Sequence, residues 1–231
     1  MTSLLNCRAR MTGPTAWSAL LWLVLCMVSL GPCRAADSGA QQSILILGDS
    51  LSAGYGIALQ DAWPSLLATR LVQEGYPYRV VNASISGETT AGGARRLAAL
   101  LSAHHPTIVV VALGANDGLR GLKVAELRKN LDAMLGAVLA SDAVPLLLQV
   151  RVPPNYGPQY TASFEGVYGE LFARDGVVAG PFLLEGFAAE ASAFQADGLH
   201  PVAAMQARIL TTLWPTLSNA MDTAKQRETK P

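Results

Sequence analysis

Four short stretches combine residue types that could carry out acyl transfer. They are Gly48-Asp49-Ser50-Leu51-Ser52, Asn82-Ala83-Ser84-Ile85-Ser86-Gly87-Glu88, Gly114-Ala115-Asn116-Asp117-Gly118 and Asp197-Gly198-Leu199-His200-Pro201. A serine hydroxyl is a poor nucleophile at neutral pH and needs a base beside it. Histidine is the usual base, and a carboxylate fixes its tautomer and stabilises the imidazolium. Asp197 and His200 stand three apart, close enough for one loop to hold the carboxylate against the ring. The chain has three histidines. His104 and His105 are adjacent at an expected helix end, where neighbours do not share a face, and both read as solvated. That leaves His200 as the one well-placed base. Gly87 could offer its backbone N–H to a developing oxyanion, and Asn116 its side-chain amide. Each stretch also has a plain reading. Gly-Asp-Ser is equally an ordinary turn with an N-cap, Gly87 a helix-start glycine, Asn-Asp-Gly a loop, and a single loop histidine a structural one.

The elements around these stretches decide whether they can meet. Ser43 to Leu47, Arg79 to Ala83, Thr107 to Leu113 and Pro145 to Arg151 read as strands, with Val177 to Ala179 as a short fifth. Several are continuously apolar, as in a parallel sheet covered on both faces. Trp63 to Gln73, Glu88 to Ala103, Val124 to Ala140, Phe164 to Arg174 and Ala203 to Leu217 read as helices. Their alternation predicts a three-layer α/β/α sandwich around a mainly parallel five-stranded sheet. Ligands of such sheets bind beyond the carboxyl ends of the strands. Three of the four stretches fall there, after strands one, two and three, and the fourth precedes the last helix. The nucleophile elbow G-x-S-x-G does not fit, because Ser52 stands where its second glycine would be. Val152 to Ala162 is the longest irregular piece, and residues 220–231 form a polar tail expected to fray.

Composition removes several function classes. Seventeen basic residues balance seventeen acidic ones, so nothing electrostatic points to nucleic acid. There is no G-x-x-x-x-G-K-[ST] and no G-x-G-x-x-G after the first strand, which weakens a nucleotide-binding reading. Arg8 and Arg10 precede an apolar run from Ala16 to Leu30, which ends at Gly31, Pro32 and the small residues around Ala35 and Ala36. Basic, apolar and small residues in that order make residues 1–36 a secretory signal peptide, and the run is shorter than a membrane span requires. All three cysteines (Cys7, Cys26, Cys33) lie in it. The remainder, residues 37–219 plus the tail, then has no disulfide and no cysteine metal site. Cleavage near Ala35 or Ala36 also removes three arginines and no acid, which leaves a mildly acidic protein. No metal, no cofactor and no membrane segment after cleavage are expected.

In order and content the four stretches resemble the four blocks of the GDSL, or SGNH, hydrolase family, over Ser43 to about Leu217. The resemblance implies an SGNH-type, flavodoxin-like fold. It implies a serine esterase with Ser50 as nucleophile, His200 as base and then acid, and Asp197 orienting His200. The oxyanion hole it implies comprises the Ser50 and Gly87 backbone N–H groups and the Asn116 side chain. Longer stretches, including Ile46 to Tyr55 and Asn116 to Gly121, are similar to the family's multifunctional branch with thioesterase, lysophospholipase and arylesterase activities. Pro153-Pro154-Asn155-Tyr156-Gly157 is similar to that branch's mobile substrate-side loop. Members are typically periplasmic, which agrees with the leader. The implied substrates are small acyl esters or thioesters, lysophospholipids among them. Long acyl chains need an apolar groove, which Ile85, Leu119, Pro153, Pro154, Tyr156 and Tyr160 could line, although the same residues could be core. The alternative within the scaffold is an acetylesterase acting on carbohydrate or other small esters, and outside it a noncatalytic ligand-binding domain.

Overall fold

The structure, a computed structural model, describes residues 42–229. The leader therefore lies outside the described residues. Five strands form, β1 (Gln42–Gly48), β2 (Tyr78–Asn82), β3 (Ile108–Ala112), β4 (Val144–Leu148) and β5 (Val178–Gly180). They pair in the order β2-β1-β3-β4-β5, and every pairing is parallel. β1, β3 and β4 are buried along almost their whole length, which explains their unbroken apolar sequences. Alternate residues point to opposite faces. Ile44 and Ile46 join one core with Trp63, Leu67, Ile209 and Leu213, while Leu45 and Leu47 join another with Leu97, Leu131, Leu135 and Phe164. The sheet is thus the middle of three layers.

The helices sort accordingly. Besides the short α1 (Ser50–Ala53), they are α2 (Trp63–Gln73), α3 (Thr90–His104), α4 (Ala115–Leu119), α5 (Val124–Ala140), α6 (Pro158–Phe172) and α7 (Gln206–Glu228). The two cores place α2 and α7 on one face and α3, α5 and α6 on the other. In α5, Leu127, Leu131, Met134, Leu135 and Val138 are buried, a spacing that keeps one stripe on the sheet. α2 and α5 have the bounds their periodicity predicts. α3 starts two residues late because Thr89 is its N-cap, its Oγ1 accepting the Gly92 N–H at 3.3 Å.

Three expectations need correction. β4 stops at Leu148 instead of Arg151, because β5 is only three residues long and offers little ladder beyond Gly180. The irregular stretch ends at Gly157: Pro158 opens α6, where a proline's missing N–H costs nothing. As far as the described residues reach, the polar tail is helical instead of frayed. α7 runs to Glu228, and Leu217, Ala220, Met221 and Ala224 continue its buried stripe at spacings of three and four. Arg227 closes it, donating to the Ala143 carbonyl at 3.0 Å and the Gly176 carbonyl at 3.2 Å.

The sheet also fixes where chemistry can occur. From β1 the chain moves to one neighbour, β2, then crosses back to the other, β3. At such a switch point the connections leave in opposite directions and open a crevice. The Ser50 turn follows β1 and the Asn116 turn follows β3.

Candidate active site

Ser50 occupies the first position of α1, directly after Asp49. Asp49 is the cap, its Oδ1 accepting the Leu51 N–H at 3.1 Å. This satisfies one of the free amides at a helix start and leaves the serine hydroxyl at the edge of the crevice. Asp49 itself is 2% exposed. Burial raises its carboxyl to about 6, against the lowering effects of the Leu51 N–H and the nearby His200.

His200 reaches Ser50 from a tight loop 150 positions away. Its Nε2 lies 2.8 Å from Ser50 Oγ, and its Nδ1 lies 2.7 Å from Asp197 Oδ2. With Nδ1 protonated and donating to Asp197, Nε2 is free to accept the serine proton. Asp197 Oδ1 also accepts the backbone N–H groups of His200 at 3.0 Å and Leu199 at 2.9 Å. The His200 N–H first, then its ring, then the Leu199 N–H hold this carboxyl at about 2. Asp197 is therefore ionised at neutral pH. The loop is braced by a bridge between Phe194 and Pro201 and by the Gln195 N–H on the His200 carbonyl at 2.8 Å. The Tyr55 ring packs tilted against the His200 ring, centroids 4.4 Å apart.

Gly87 and Asn116 approach the same crevice from the ends of β2 and β3. Gly87 has φ 79°, a conformation that favours glycine, and Arg120 donates to its carbonyl at 2.9 Å. Asn116 Nδ2 donates to the Glu88 carbonyl at 3.0 Å. Among the described residues, no protein acceptor takes the N–H of Ser50 or of Gly87. Ser50, Gly87, Asn116 and His200 all line one cavity of about 560 Å³. The arrangement provides a serine linked to a base, with backbone and amide donors beside it. These are the parts acyl transfer needs.

The cavity is mainly apolar, but its walls differ from the sequence expectation. Leu119 and Pro153 line it. Ile85 does not; it is an exposed residue in the turn before Gly87. Tyr156 and Tyr160 do not line it either. Their hydroxyls donate to the Leu119 carbonyl at 2.8 Å and the Leu122 carbonyl at 3.0 Å, and their rings continue a row through Phe164 to Tyr168. The Pro154 side chain lies outside the described residues. The missed walls come from the ends of β4 and β5, notably Leu148, Val150, Val152, Phe182 and Leu184, with Tyr55 and Leu199 beside His200. Following β5 past its carboxyl end, as β4 was followed, would have found Phe182 and Leu184.

The profile of the GDSL-like lipase/acylhydrolase family matches residues 46–208. The chain is 49% identical over 181 residues to the esterase TesA of Pseudomonas aeruginosa, covering 78% of this chain and 90% of that protein. It is 43% identical to the thioesterase 1/protease 1/lysophospholipase L1 of Escherichia coli (strain K12), over 71% of this chain and 77% of that one. The crystal structure of the psychrotrophic esterase EstA from Pseudoalteromonas sp., inhibited by monoethylphosphonate, matches with a TM-score of 0.75 at 36% identity. That match covers 78% of this chain and 99% of the other.

Proposed function

This chain belongs to the GDSL-like lipase/acylhydrolase family, and we propose that it hydrolyses fatty-acyl esters and thioesters through an acyl-enzyme on Ser50. It is a serine hydrolase acting on ester bonds. The observation that carries the finer reading is the continuous Asp197–His200–Ser50 chain, at 2.7 and 2.8 Å, opening into a largely apolar cavity.

In this mechanism Ser50 Oγ attacks the acyl carbonyl carbon as its proton passes to His200 Nε2. The negative charge that develops on the carbonyl oxygen is met by the N–H groups of Ser50 and Gly87 and the Asn116 amide. As the tetrahedral intermediate collapses, the ester or thioester bond breaks, and His200 returns the proton to the departing alcohol or thiol. A water molecule, deprotonated by His200, then attacks the acyl-enzyme carbonyl; the bond to Ser50 Oγ breaks, His200 returns the proton to Oγ, and the carboxylic acid leaves. Asp197 holds the ring in the required tautomer throughout.

Each methylene removed from water contributes about 0.8 kcal/mol, so an apolar cavity of this size favours chains longer than acetyl. Fatty-acyl thioesters and lysophospholipids are substrates of that kind. With purified residues 37–231 and a series of p-nitrophenyl acyl esters, kcat/KM should climb from acetyl to medium or long chains and then level off. Ser50→Ala should fold and lose turnover, and an organophosphonate should label Ser50 in the unmodified enzyme. A preference for acetyl would replace the fatty-acyl reading with the acetylesterase one, while label on another serine would remove Ser50 from its role.

Residues 1–36 direct export on this reading, because basic, apolar and small residues follow one another there as in a signal peptide. Amino-terminal sequencing of the protein from a soluble envelope fraction should find a start near Ala36 or Asp37. Recovery of an intact Met1 form in membranes would overturn it. Among the described residues no helix is long and apolar enough to cross a membrane.

A further inference from the structure

Asn116 sits on α4, a helix of only five residues, too short to hold its own geometry in water. Gly87 lies in the turn before α3, on a different segment of the chain. Something must fix the gap between them, because oxyanion donors act only when aimed at the place where charge develops. The residue next to Asn116 is Asp117, a carboxylate that is 3% exposed. Its Oδ2 accepts the Thr90 backbone N–H at 2.8 Å, and its Oδ1 accepts the Thr90 hydroxyl at 2.5 Å.

The direction of that second bond is set by a third group. Asn130 Nδ2, from α5, donates to Thr90 Oγ1 at 3.1 Å, so the hydroxyl proton is left to point at Asp117. The carboxylate also faces the first turn of the fifteen-residue α3, whose free amides favour a negative charge. Asn116 and Asp117 therefore grip α3 and its preceding turn at two consecutive points, Glu88 and Thr90. An ion buried in this way is weak evidence of stabilisation, since a well-packed apolar residue often does as well. What an apolar residue would not supply is a fixed distance between two segments.

We propose that Asp117 is a positioning residue of the reaction: through Thr90 it sets the spacing and aim of the Gly87 and Asn116 donors. The inference rests on the reading of those two groups as the oxyanion hole. Asp117 touches no reacting atom and acts only through them.

The test compares Asp117→Asn, Asp117→Ala, Thr90→Val, Asn116→Ala and the double variant Asn116→Ala/Asp117→Ala in the otherwise intact enzyme. The readouts are kcat, KM and the Ki of an alkyl boronic acid, whose serine adduct is tetrahedral. Removing one oxyanion donor outright costs about 10²–10³ in kcat. Asp117→Ala and Thr90→Val should each lower kcat by about tenfold to 10², no more than loss of the donor itself. The boronate Ki should rise in step, with KM little changed. In the Asn116→Ala background the additional loss from Asp117→Ala should shrink well below its value alone. Asp117→Asn keeps the size and one acceptor, guards against failure to fold, and should give a smaller loss of the same kind. Full multiplicativity of the two alanine changes would overturn the proposal, as would folded Asp117→Asn and Thr90→Val enzymes with unchanged kcat and Ki. If Asn116→Ala alone leaves kcat intact, the oxyanion reading fails first, and that outcome is distinct from failure of the Asp117 step.

Discussion

Asp49 stands one residue before Ser50, is almost wholly buried, and has its carboxyl raised to about 6 by that burial. A raised carboxyl means that the folded protein holds a proton which the unfolded chain, with an ordinary value of 3.8, has already released. The charged form therefore costs stability above about pH 6, and the cost is relieved as pH falls from 6 toward 3.8. A shift of about two units corresponds to roughly 3 kcal/mol. Asparagine caps a helix as well as aspartate does and carries no charge to bury. Asp49→Asn should thus be more stable than the unmodified protein at pH 8, by up to about 3 kcal/mol, with the advantage shrinking at pH 4.5. Urea unfolding at the two pH values measures it, and an advantage independent of pH would exclude burial of charge as the cause.

The segment after α4 shows how one element sets another's shape. Leu119 lines the cavity, but nothing in residues 119–123 is regular structure beyond the end of α4. Its backbone is tied down from outside, by Tyr156 on the Leu119 carbonyl and Tyr160 on the Leu122 carbonyl. Such bonds are worth about 0.5–1.5 kcal/mol each, enough to bias a short segment without deciding the fold. Tyr156→Phe should therefore loosen Leu119 and flatten the rise of kcat/KM with acyl length, at a stability cost of about 1 kcal/mol. Acetyl-ester hydrolysis should change less. Had the ring itself been the wall of the groove, phenylalanine would serve equally well and only an alanine would matter. The chain-length series on both variants separates the two cases.

At the scale of the whole molecule, α7 joins the sheet's two ends. Its first residue, Gln206, accepts the Trp63 N–H at 3.0 Å and so meets the start of α2. Its last turns pack Ala220, Met221 and Ala224 into the core shared with β1 and β4. Because the His200 loop enters the crevice only a few residues before α7, anchoring this helix also anchors the base. Met221→Ala should cost about 2–5 kcal/mol, the range for emptying a buried site of that size, measured by chemical denaturation. A frayed terminus would give almost no change. Below the melting transition, turnover should fall little, since Met221 lies far along the helix from His200.

The sequence by itself determined the layers and the chemistry. Apolar runs had to be covered strands, Leu127 to Val138 had to form one helical stripe, and Ser50, Asp197 and His200 could be paired because their stretches follow one another in the order the family resemblance implies. Gly87 and Asn116 could be placed past the carboxyl ends of β2 and β3, where ligands of such sheets bind, and the resemblance alone implied their donor roles. What only the tertiary structure decided depends on contacts between segments far apart in the chain. Phe182 and Leu184 became cavity walls because β5 ends beside β4. The tyrosines turned from wall to brace because their hydroxyls found the free carbonyls of another loop. The polar end of α7 became core because spacing, not composition, selects the buried face of a helix. Asp117, one of several acids by sequence, acquired its role from the single threonine that the fold places opposite it. Local patterns fix what a residue can do, and long-range packing fixes which partner it does it with.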